Sequence, residues 1–279
     1  MPPLYFKHFL MSQVVFITGA SSGIGKAMAD FLVKKNFTVY GTSRNPERVK
    51  ADFPLLKMDV TKPESIKSAI KELRSKTDKV DVLINNAGVG ITGPIEETPE
   101  SEMKNAFDTN FFGPINVIKE LMPVFREQNS GLIINITSIA GYMGLPYRGI
   151  YSASKAAFEI AMEAMRMEIA PFHVKMTNVA PGDFATNIVA GRYHAPIIKD
   201  SPYEKNYELS LNLMNAHVDS GENPDKMGEA IYKIIRSKNP KVHYKIGSPI
   251  QKLSIVLKRI LPDRMYEGIL MNHFKLKKE

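Results

Sequence analysis

The stretch VVFITGASSGIG, residues 14–25, joins a short apolar run to a glycine-rich turn and the start of a helix. Gly19, Gly23 and Gly25 let the backbone approach a ligand closely, and the free N–H groups at a helix N-terminus attract anions. Glycine also serves ordinary tight turns, so the three glycines alone are weak evidence. Their position between a strand and a helix is typical of the pyrophosphate site in a dinucleotide-binding fold.

Five more apolar runs alternate with helix-length segments along the chain. The runs are FTVYGTS, LLKMDV, VDVLINNAG, GLIINITS and VKMTNVAPG, each bounded by glycine, proline or polar residues. Helical patterns lie at about 23–35, 63–77, 99–129 and 151–170, and another follows near 224–237. Strands separated by helices pair in parallel through right-handed crossovers. The sequence therefore predicts an α/β fold with a single doubly wound parallel sheet (Rossmann fold) and helices on both faces.

No repeat or linker divides this pattern, so residues 12–247 are predicted to form one domain, preceded by an N-terminal extension at 1–11. The alternation weakens beyond Pro181, and 183–222 is predicted to be an irregular substrate lid with short helices. Residues 248–279 form a basic amphipathic C-terminal extension. Such helices can lie on anionic membranes but more often pack on their own domain or on a subunit. The apolar side would carry Ile250, Leu253, Leu257, Ile260 and Leu261.

Composition excludes several classes of function. The 279 residues contain no cysteine, which excludes disulfides, a catalytic thiol and a thiolate metal site, and we expect no metal. Of the net charge of +8, residues 241–279 contribute +6 and the body only +2. The body therefore lacks the global basic field of a nucleic-acid binder. No apolar run approaches the ~20 residues of a membrane span, so we expect a cytoplasmic protein, with peripheral membrane contact through the extension as an open alternative.

The end of the second predicted strand, VYGTSRN, indicates which cofactor the turn would bind. Dinucleotide folds that prefer the unphosphorylated cofactor place an acid there to bind the ribose diol. Ser43 occupies this place and Arg44 follows it. A hydroxyl and a guanidinium suit the 2′-phosphate of NADP(H), which an aspartate would repel. The alternative is that Arg44 is an ordinary solvated arginine.

Residues 151–155, YSASK, place a phenol and an amine four positions apart, on one face of a helix. An isolated tyrosine is only about 0.1% phenolate at neutral pH, so it is a poor base. A cation about 4 Å away stabilises a phenolate by roughly 4 kcal/mol at an effective dielectric of about 20, which equals about three pKa units. We therefore expect Lys155 to prepare Tyr151 for exchanging a proton with a substrate oxygen.

Six short motifs follow one another along the chain: TGASSGIG, NNAG at 85–88, Asn110 in DTNFFGP, Ser138 in ITSIAG, YSASK and PG at 181–182. Tyr151 lies thirteen residues after Ser138. In their order and spacing, these motifs resemble the classical short-chain dehydrogenase/reductase family over about residues 12–247. Within the family the chain is most similar to 17β-hydroxysteroid and retinol dehydrogenase-like members.

The resemblance implies a catalytic group of Asn110, Ser138, Tyr151 and Lys155. Tyr151 would be the general acid/base, and Lys155 would also bind the nicotinamide ribose. Ser138 would stabilise charge on the substrate oxygen, and its alternative is a capping or turn serine. Asn110 would hold, through its backbone carbonyl, a water that relays protons to Lys155, and its alternative is a structural asparagine.

The resemblance also implies the remaining cofactor contacts. Asp59 and Val60 would meet the adenine ring, although Asp59 is equally compatible with an ordinary strand-end acid. Thr186 would lie near the nicotinamide carboxamide, or else cap a short helix. The predicted set is Gly19, Ser21, Ser22, Gly23, Ile24, Gly25, Ser43, Arg44, Asp59, Val60, Asn86, Ala87, Gly88, Tyr151, Lys155, Pro181, Gly182 and Thr186, with Asn85 beside the adenine ribose.

These features predict an NADP(H)-dependent oxidoreductase that interconverts a carbonyl and an alcohol on a lipophilic small molecule. Two alternatives are a non-catalytic dinucleotide-binding sensor and a lyase or epimerase of nucleotide sugars. Intact Ser138, Tyr151 and Lys155 argue against the sensor, and nucleotide-sugar enzymes normally have a longer chain. As in many relatives, the helices at 99–129 and 151–170 would pair across a two-fold axis to give a homodimer or homotetramer.

Overall fold

A computed structural model of the protein describes residues 12–185, 191–219 and 221–276. Its strands are β1 (Val14–Ile17), β2 (Thr38–Ser43), β3 (Leu55–Lys57), β4 (Val82–Asn85), β5 (Ile91–Thr92), β6 (Gly131–Ile136), β7 (Val174–Pro181), β8 (Tyr193–His194) and β9 (His243–Ile246). Seven of them form one parallel sheet in the order β3, β2, β1, β4, β6, β7, β9, while β5 pairs in parallel with β8. The predicted doubly wound parallel sheet is confirmed.

Helices cover both faces of the large sheet. They are α1 (Gly23–Lys34), α2 (Pro63–Lys76), α3 (Glu100–Phe107), α4 (Gly113–Gln128), α5 (Gly149–Glu168), α6 (Glu204–Asp219), α7 (Asp225–Ile235), α8 (Pro249–Ile260) and α9 (Asp263–His273). A core that includes residues of α2, α4 and α5 lies on one face, and a second core that includes α1 and α7 lies on the other.

The strands are apolar throughout because both of their faces are covered. In β1, Phe16 belongs to the core on the α2, α4 and α5 side, while its neighbour Ile17 belongs to the α1 and α7 side. Neither side chain is exposed to solvent. This alternation follows from the pleat of a strand, in which successive side chains point to opposite faces.

The structure differs from the predicted elements at three places. The segment 99–129 is not one regular helix, because a π-helical turn, Asp108–Phe112, separates α3 from α4. The part of the lid that the structure describes contains a helix of 16 residues, α6, where short helices were predicted. The last strand of the sheet, β9, was not predicted, because its four residues HYKI are only half-buried at the sheet edge and lack a continuous apolar run.

The two C-terminal helices pack on the turn that follows β6. Ile255 of α8 and Tyr266 of α9 are 1% and 2% exposed and share a small core with Ile139 and Met143. Leu257 and Leu261 pack against this core as well. The remaining members of the predicted apolar side, Ile250, Leu253 and Ile260, are exposed. Within the described part of the chain, no helix has the length and apolarity needed to cross a membrane.

Candidate active site

A cleft of about 590 Å³ follows the carboxyl ends of the central strands, where the strand order reverses between β1 and β4. Ligands of open α/β sheets bind at this switch point. Most of the predicted site residues line it: Gly19, Ser21, Ser22, Gly23, Ile24, Gly25, Ser43, Arg44, Asp59, Val60, Asn86, Ala87, Gly88, Tyr151, Lys155 and Pro181.

The glycine-rich turn at one wall of the cleft is shaped for an anion. Gly19 and Gly23 have φ of +67° and +55°, which side chains other than glycine rarely adopt. A Cβ at Gly25 would lie 2.2 Å from the carbonyl oxygen of Gly19, so only glycine fits there. The first turn of α1 carries no acidic residue, and Ser22 makes no side-chain capping bond. The N–H groups and the helix dipole are therefore available to a pyrophosphate.

Asn86 holds the turn against β4. Its Nδ2 donates to the carbonyl oxygens of Thr18 and Gly19 at 3.0 and 2.9 Å. The hydroxyl of Thr18 in turn accepts from the backbone N–H groups of Asn86 and Ala87 at 2.9 and 3.0 Å. Asn86 therefore shapes the cradle in addition to lining it. Asn85 lies elsewhere, because its side chain points into the sheet, where Nδ2 donates to Asn135 Oδ1 at 3.0 Å.

Two exposed arginines lie where β2 ends at the cleft. Ser43 is buried, and its hydroxyl accepts from the N–H of Asn45 at 3.2 Å. Arg44 and Arg48 both line the cleft and are exposed. Asn45 and Arg48 were not predicted as site residues. The signal for them is the NPER sequence, because Pro46 starts a 3-10 turn, Pro46–Arg48, that turns the chain back toward the cleft.

Asp59 and Val60 line the same wall of the cleft after β3. Asp59 Oδ1 accepts from the N–H and the hydroxyl of Thr61 at 3.0 and 2.8 Å, and its N–H donates to Ser65 Oγ. The carboxylate therefore has a structural role in the turn as well as a place in the cleft.

Tyr151 and Lys155 lie one turn apart on α5 and both line the cleft, which brings them together with the glycine-rich turn. Lys155 is 5% exposed, and its Nζ donates to the carbonyl oxygen of Ile136 at 3.2 Å. A Cβ at Gly88 would lie 3.3 Å from this Nζ and 3.1 Å from Asn110 Oδ1. The absence of a side chain at Gly88 therefore makes room for the ammonium and the amide.

Asn110 lies in the π-helical turn and is almost completely buried. Its amide accepts from the N–H of Val89 and donates to the Val89 carbonyl, both at 2.9 Å, and also donates to Ser154 Oγ at 3.1 Å. The side chain thus joins the chain after β4 to α5. Pro114 has no N–H, so the carbonyl of Asn110, four residues earlier, lacks its ordinary α-helical donor.

Five predicted residues do not line the cleft or cannot be placed: Asn85 and Asn110, whose contacts are given above, and Ser138, Gly182 and Thr186. Ser138 lies two residues after β6, and its hydroxyl accepts from the N–H of Ala140 at 3.1 Å, so it caps the following 3-10 turn. The neighbouring Thr137 lines the cleft instead. Gly182 lies against α8, because a Cβ there would meet Gln251 Oε1 at 2.0 Å. Thr186 lies outside the described residues.

A row of amides within the sheet holds α5 in place. Asn85, Asn135 and Asn178 are register partners on β4, β6 and β7, and their side chains are bonded in series at 3.0 and 3.1 Å. Asn178 Nδ2 then donates to the backbone carbonyl of Glu159 on α5 at 3.2 Å. The row reaches α5 one turn beyond Lys155, and it was not predicted from the sequence.

The Glu159 side chain fixes the same helix to β9. Its Oε1 contacts His243 Nδ1 at 2.8 Å and accepts a short hydrogen bond from the Tyr142 hydroxyl. His243 Nε2 lies 3.2 Å from Glu163 Oε1. Burial raises the pKa of Tyr142, and its hydrogen bond to Glu159 raises it further. Tyr142 therefore stays a neutral donor, and the cluster supports the helix that carries Tyr151 and Lys155.

Known proteins share this sequence and this architecture. Residues 13–196 match the family model described as short chain dehydrogenase. A 3-ketodihydrosphingosine reductase of Bacteroides thetaiotaomicron is 41% identical over 259 residues, which cover 92% of this chain and 96% of that protein. Human retinol dehydrogenase 8 is 30% identical, with 88% of this chain and 85% of that protein covered.

Solved structures agree with these sequence matches. A short-chain dehydrogenase from Streptomyces avermitilis superposes with a TM-score of 0.79 at 29% identity, covering 95% of this chain and 97% of that one. ElxO with NADP bound has a TM-score of 0.69 at 25% identity, covering 85% and 97%. A Burkholderia phymatum structure with NAD has the same fold, at a TM-score of 0.76 and 21% identity, with 89% and 93% covered. The chain therefore belongs to the classical short-chain dehydrogenase/reductase family and is a nicotinamide-dependent oxidoreductase.

Proposed function

We propose that the protein is an NADP(H)-dependent reductase or dehydrogenase that interconverts a carbonyl and an alcohol on a lipophilic small molecule. The observation that carries this proposal is the placement of Tyr151 and Lys155 on α5, in one cleft with the glycine-rich turn. A dinucleotide-binding sensor would need the turn but not a phenol beside a buried ammonium. The intact pair therefore favours an enzyme.

Tyr151 exchanges a proton with the substrate oxygen in this proposal. When bound in the cleft, NADPH would supply the hydride for the carbonyl carbon. Lys155, held at the Ile136 carbonyl, places a positive charge one helical turn from Tyr151 and binds the nicotinamide ribose. Asn110 keeps its carbonyl available for a water that returns protons toward Lys155. Ser138 would turn its hydroxyl from the capping bond to the substrate oxygen.

Preference for the phosphorylated cofactor is supported by the end of β2. Ser43 is neutral, and the guanidinium groups of Arg44 and Arg48 reach the same part of the cleft. Two exposed cations can bind a 2′-phosphate at little cost, because they remain solvated until it arrives. The bound cofactors of ElxO and the Burkholderia phymatum protein differ, so the fold does not choose between NADP and NAD, and these side chains carry the proposal.

A lipophilic substrate is supported by the names of two relatives, a 3-ketodihydrosphingosine reductase and a retinol dehydrogenase. Some apolar lid residues are not free to line a pocket, because Phe184, Tyr207 and Met214 are at most 3% exposed. Tyr207 donates to the carbonyl oxygens of Thr92 and Ala195 at 3.2 and 3.1 Å. The lid therefore has a packed interior, and the substrate would contact its inner surface.

Contact with an anionic membrane surface is the second part of the proposal. Six exposed apolar side chains concentrate on α8 and α9, at 40 to 78% exposure, within the segment that carries the +6 charge excess. A basic, apolar surface binds anionic bilayers and would give access to a substrate that partitions into lipid. The six are Ile250, Leu253, Val256, Ile260, Met265 and Ile269.

A homo-oligomer is proposed from the outer face of α5. Ile160 and Met167 are 66% and 72% exposed there, one above the other at helical spacing. Exposed apolar side chains on one helix face are suited to packing against the same face of a second copy. Sedimentation of wild type and of an Ile160→Glu variant would test this pairing.

The proposed activity is tested by following NADPH and NADH consumption with a panel of steroid, retinoid, fatty-acyl and aromatic carbonyl compounds. We expect turnover of at least one lipophilic carbonyl, with NADPH preferred. Tight binding of NADPH without turnover of any carbonyl or alcohol would favour the sensor instead.

A further inference from the structure

Arg192 is a buried arginine beside the cleft. It lies directly before β8 and is 9% exposed. Its Nη1 is shielded from solvent and has no hydrogen-bond partner within residues 12–185, 191–219 and 221–276. A buried charge without a partner costs free energy, and proteins normally pair such groups. A buried Nη1 that has no partner among the described residues therefore points to a ligand that completes it.

The side chain of Arg192 lies across a residue of the cleft wall. A Cβ at Gly90 would lie 2.9 Å from Arg192 Cγ and 3.1 Å from Nε, so the arginine passes directly over this backbone. Gly90 and Gly191 both line the cleft that contains Tyr151. The pairing of β5 with β8 fixes this arrangement, because the N–H of Tyr193 donates to the Gly90 carbonyl at 3.0 Å.

A second arginine contacts the proposed catalytic residue itself. The Arg148 guanidinium carbon lies 5.2 Å from the centre of the Tyr151 ring, in a cation-π contact. The preceding residue, Tyr147, accepts a backbone hydrogen bond from Gly93 at 2.9 Å, directly after β5. Arg148 and Arg192 are therefore both held next to the short β5 and β8 strands, on the Tyr151 side of the cleft.

One cation and one acid act on Arg192, and they oppose each other. Burial lowers the pKa of its guanidinium, and the positive charge of Arg148 lowers it further, while Tyr151 and Asp183 act in the opposite direction. Asp183 already accepts from Gln251 Nε2 at 2.7 Å, so its carboxylate is committed to α8. Within the described part of the chain, the site therefore has two cations, and the acid that acts on Arg192 is already bonded to Gln251 of α8.

We propose that Arg148 and Arg192 bind an anionic group of the substrate, a carboxylate or phosphate, close to the carbonyl that is reduced at Tyr151. This inference rests on the proposed function and narrows its substrate class to lipophilic carbonyl compounds with a negative charge near the reacting carbon. Guanidinium groups match the planar oxygens of such anions. A substrate with an ammonium at the same position would be repelled, and this includes the amino ketone in the name of the Bacteroides thetaiotaomicron relative, so only the lipophilic character is taken from that relative.

Binding is measured in the presence of saturating NADP+, so that a ketone cannot be reduced during the experiment. The probes are 3-oxooctanoate and its methyl ester, which differ in charge but share the chain and the ketone. Titration calorimetry on the full-length wild type is expected to show the acid bound roughly tenfold tighter, which is about 1.4 kcal/mol. Arg192→Met and Arg148→Met are each expected to remove most of this preference, and Arg192→Lys to keep part of it.

The matched control is Arg44→Met, which removes an exposed arginine of the same cleft. It is expected to weaken NADP+ binding while leaving the ratio of acid to ester affinity at its wild-type value once NADP+ is saturating. Thermal unfolding shows whether each variant is folded. If Arg192→Met is not folded, the wild-type ratio and Arg148→Met decide the question.

Equal or tighter binding of the ester by wild type would overturn the proposal, as would tighter binding of a matched 2-amino ketone. In a second contradictory outcome, Arg192→Met lowers the affinity for the acid and for the ester by the same factor and also weakens NADP+ binding. That result would assign the arginine to the dinucleotide and would also overturn the proposal. Failure of the proposed function can be distinguished from failure of the anion site. A tenfold preference for the acid without NADPH consumption on either probe would leave the anion site standing and remove the proposed reaction.

Discussion

One pair of arginines lines the cleft and a second pair lies beside it, and the two pairs differ in how far water reaches them. Arg44 and Arg48, after β2, are exposed, whereas Arg192 is buried and Arg148 is half-buried against the Tyr151 ring. A solvated cation costs the fold little and acts when a phosphate arrives. A buried one destabilises the fold until something neutralises it. The exposed pair is therefore suited to selecting a cofactor, and the buried pair to recognising the reacting molecule.

The largest effect on activity is expected from Lys155→Met, which changes a buried cation of the cleft. This variant removes the buried cation that lies one helical turn from Tyr151 and donates to the Ile136 carbonyl. We expect kcat/KM for carbonyl reduction to fall by about three orders of magnitude. Steady-state NADPH consumption measures this fall, with the exposed Lys67→Met as control. A loss below tenfold would mean that the buried ammonium does not serve the chemistry.

A smaller effect, on the choice of cofactor, is expected from Arg44→Asp in the exposed pair. An aspartate after β2 repels a 2′-phosphate and accepts from a ribose diol. The ratio of kcat/KM for NADPH to that for NADH is expected to fall about 100-fold, with thermal stability unchanged because the site is solvated. An unchanged ratio would show that Arg44 is an ordinary surface arginine.

The exposed cations of α8 extend the comparison to a partner outside the cleft. Neutralising Lys252 and Arg259 with glutamine is expected to weaken binding to phosphatidylserine vesicles roughly 30-fold, at about 1 kcal/mol for each charge. Co-sedimentation of the full-length variant and wild type measures the change. Glutamine at Lys67 and Lys104, two exposed lysines of other helices, is the control. Negligible vesicle binding by wild type would remove the membrane proposal.

The smallest effect is expected from Arg48→Ala, because Arg48 is the outer member of the exposed pair. Its side chain is 79% exposed, and its Nε lies 3.9 Å from Glu47 Oε1, so solvent weakens any contact it makes. The KM for NADPH should rise about threefold, and the KM for NADH should stay constant. A rise as large as that for Arg44→Asp would mean that both arginines share the phosphate equally.

Local patterns were enough to predict the sheet, the turn and the position of α5. The apolar run at 14–17 and the glycines after it depend only on neighbouring residues, and so does the spacing of Tyr151 and Lys155. The row of amides could not be predicted, because Asn85, Asn135 and Asn178 meet only through the register of three strands.

The surroundings of Arg192 depend even more on contacts between parts of the chain that are far apart in sequence. In the sequence, Arg192 resembles an ordinary surface arginine. It becomes buried because β8, which directly follows it, pairs with β5 much earlier in the chain. The π-helical turn at Asp108–Phe112 likewise replaces the regular helix that periodicity predicts, although Gly113 and Pro114 were a signal of irregularity. Patterns of adjacent residues therefore predicted the residues around the glycine-rich turn better than those around Arg192.

The role of Tyr151 is tested most directly by comparing Tyr151→Phe with Tyr147→Phe, a tyrosine that packs on Tyr207 at 5.3 Å between ring centres. Both changes remove one hydroxyl and keep the ring. With a substrate found in the carbonyl panel, we predict that kcat/KM falls by about three orders of magnitude in Tyr151→Phe, while NADPH affinity and melting temperature stay at wild-type values. Turnover by Tyr151→Phe within threefold of wild type would contradict the proposed proton transfer.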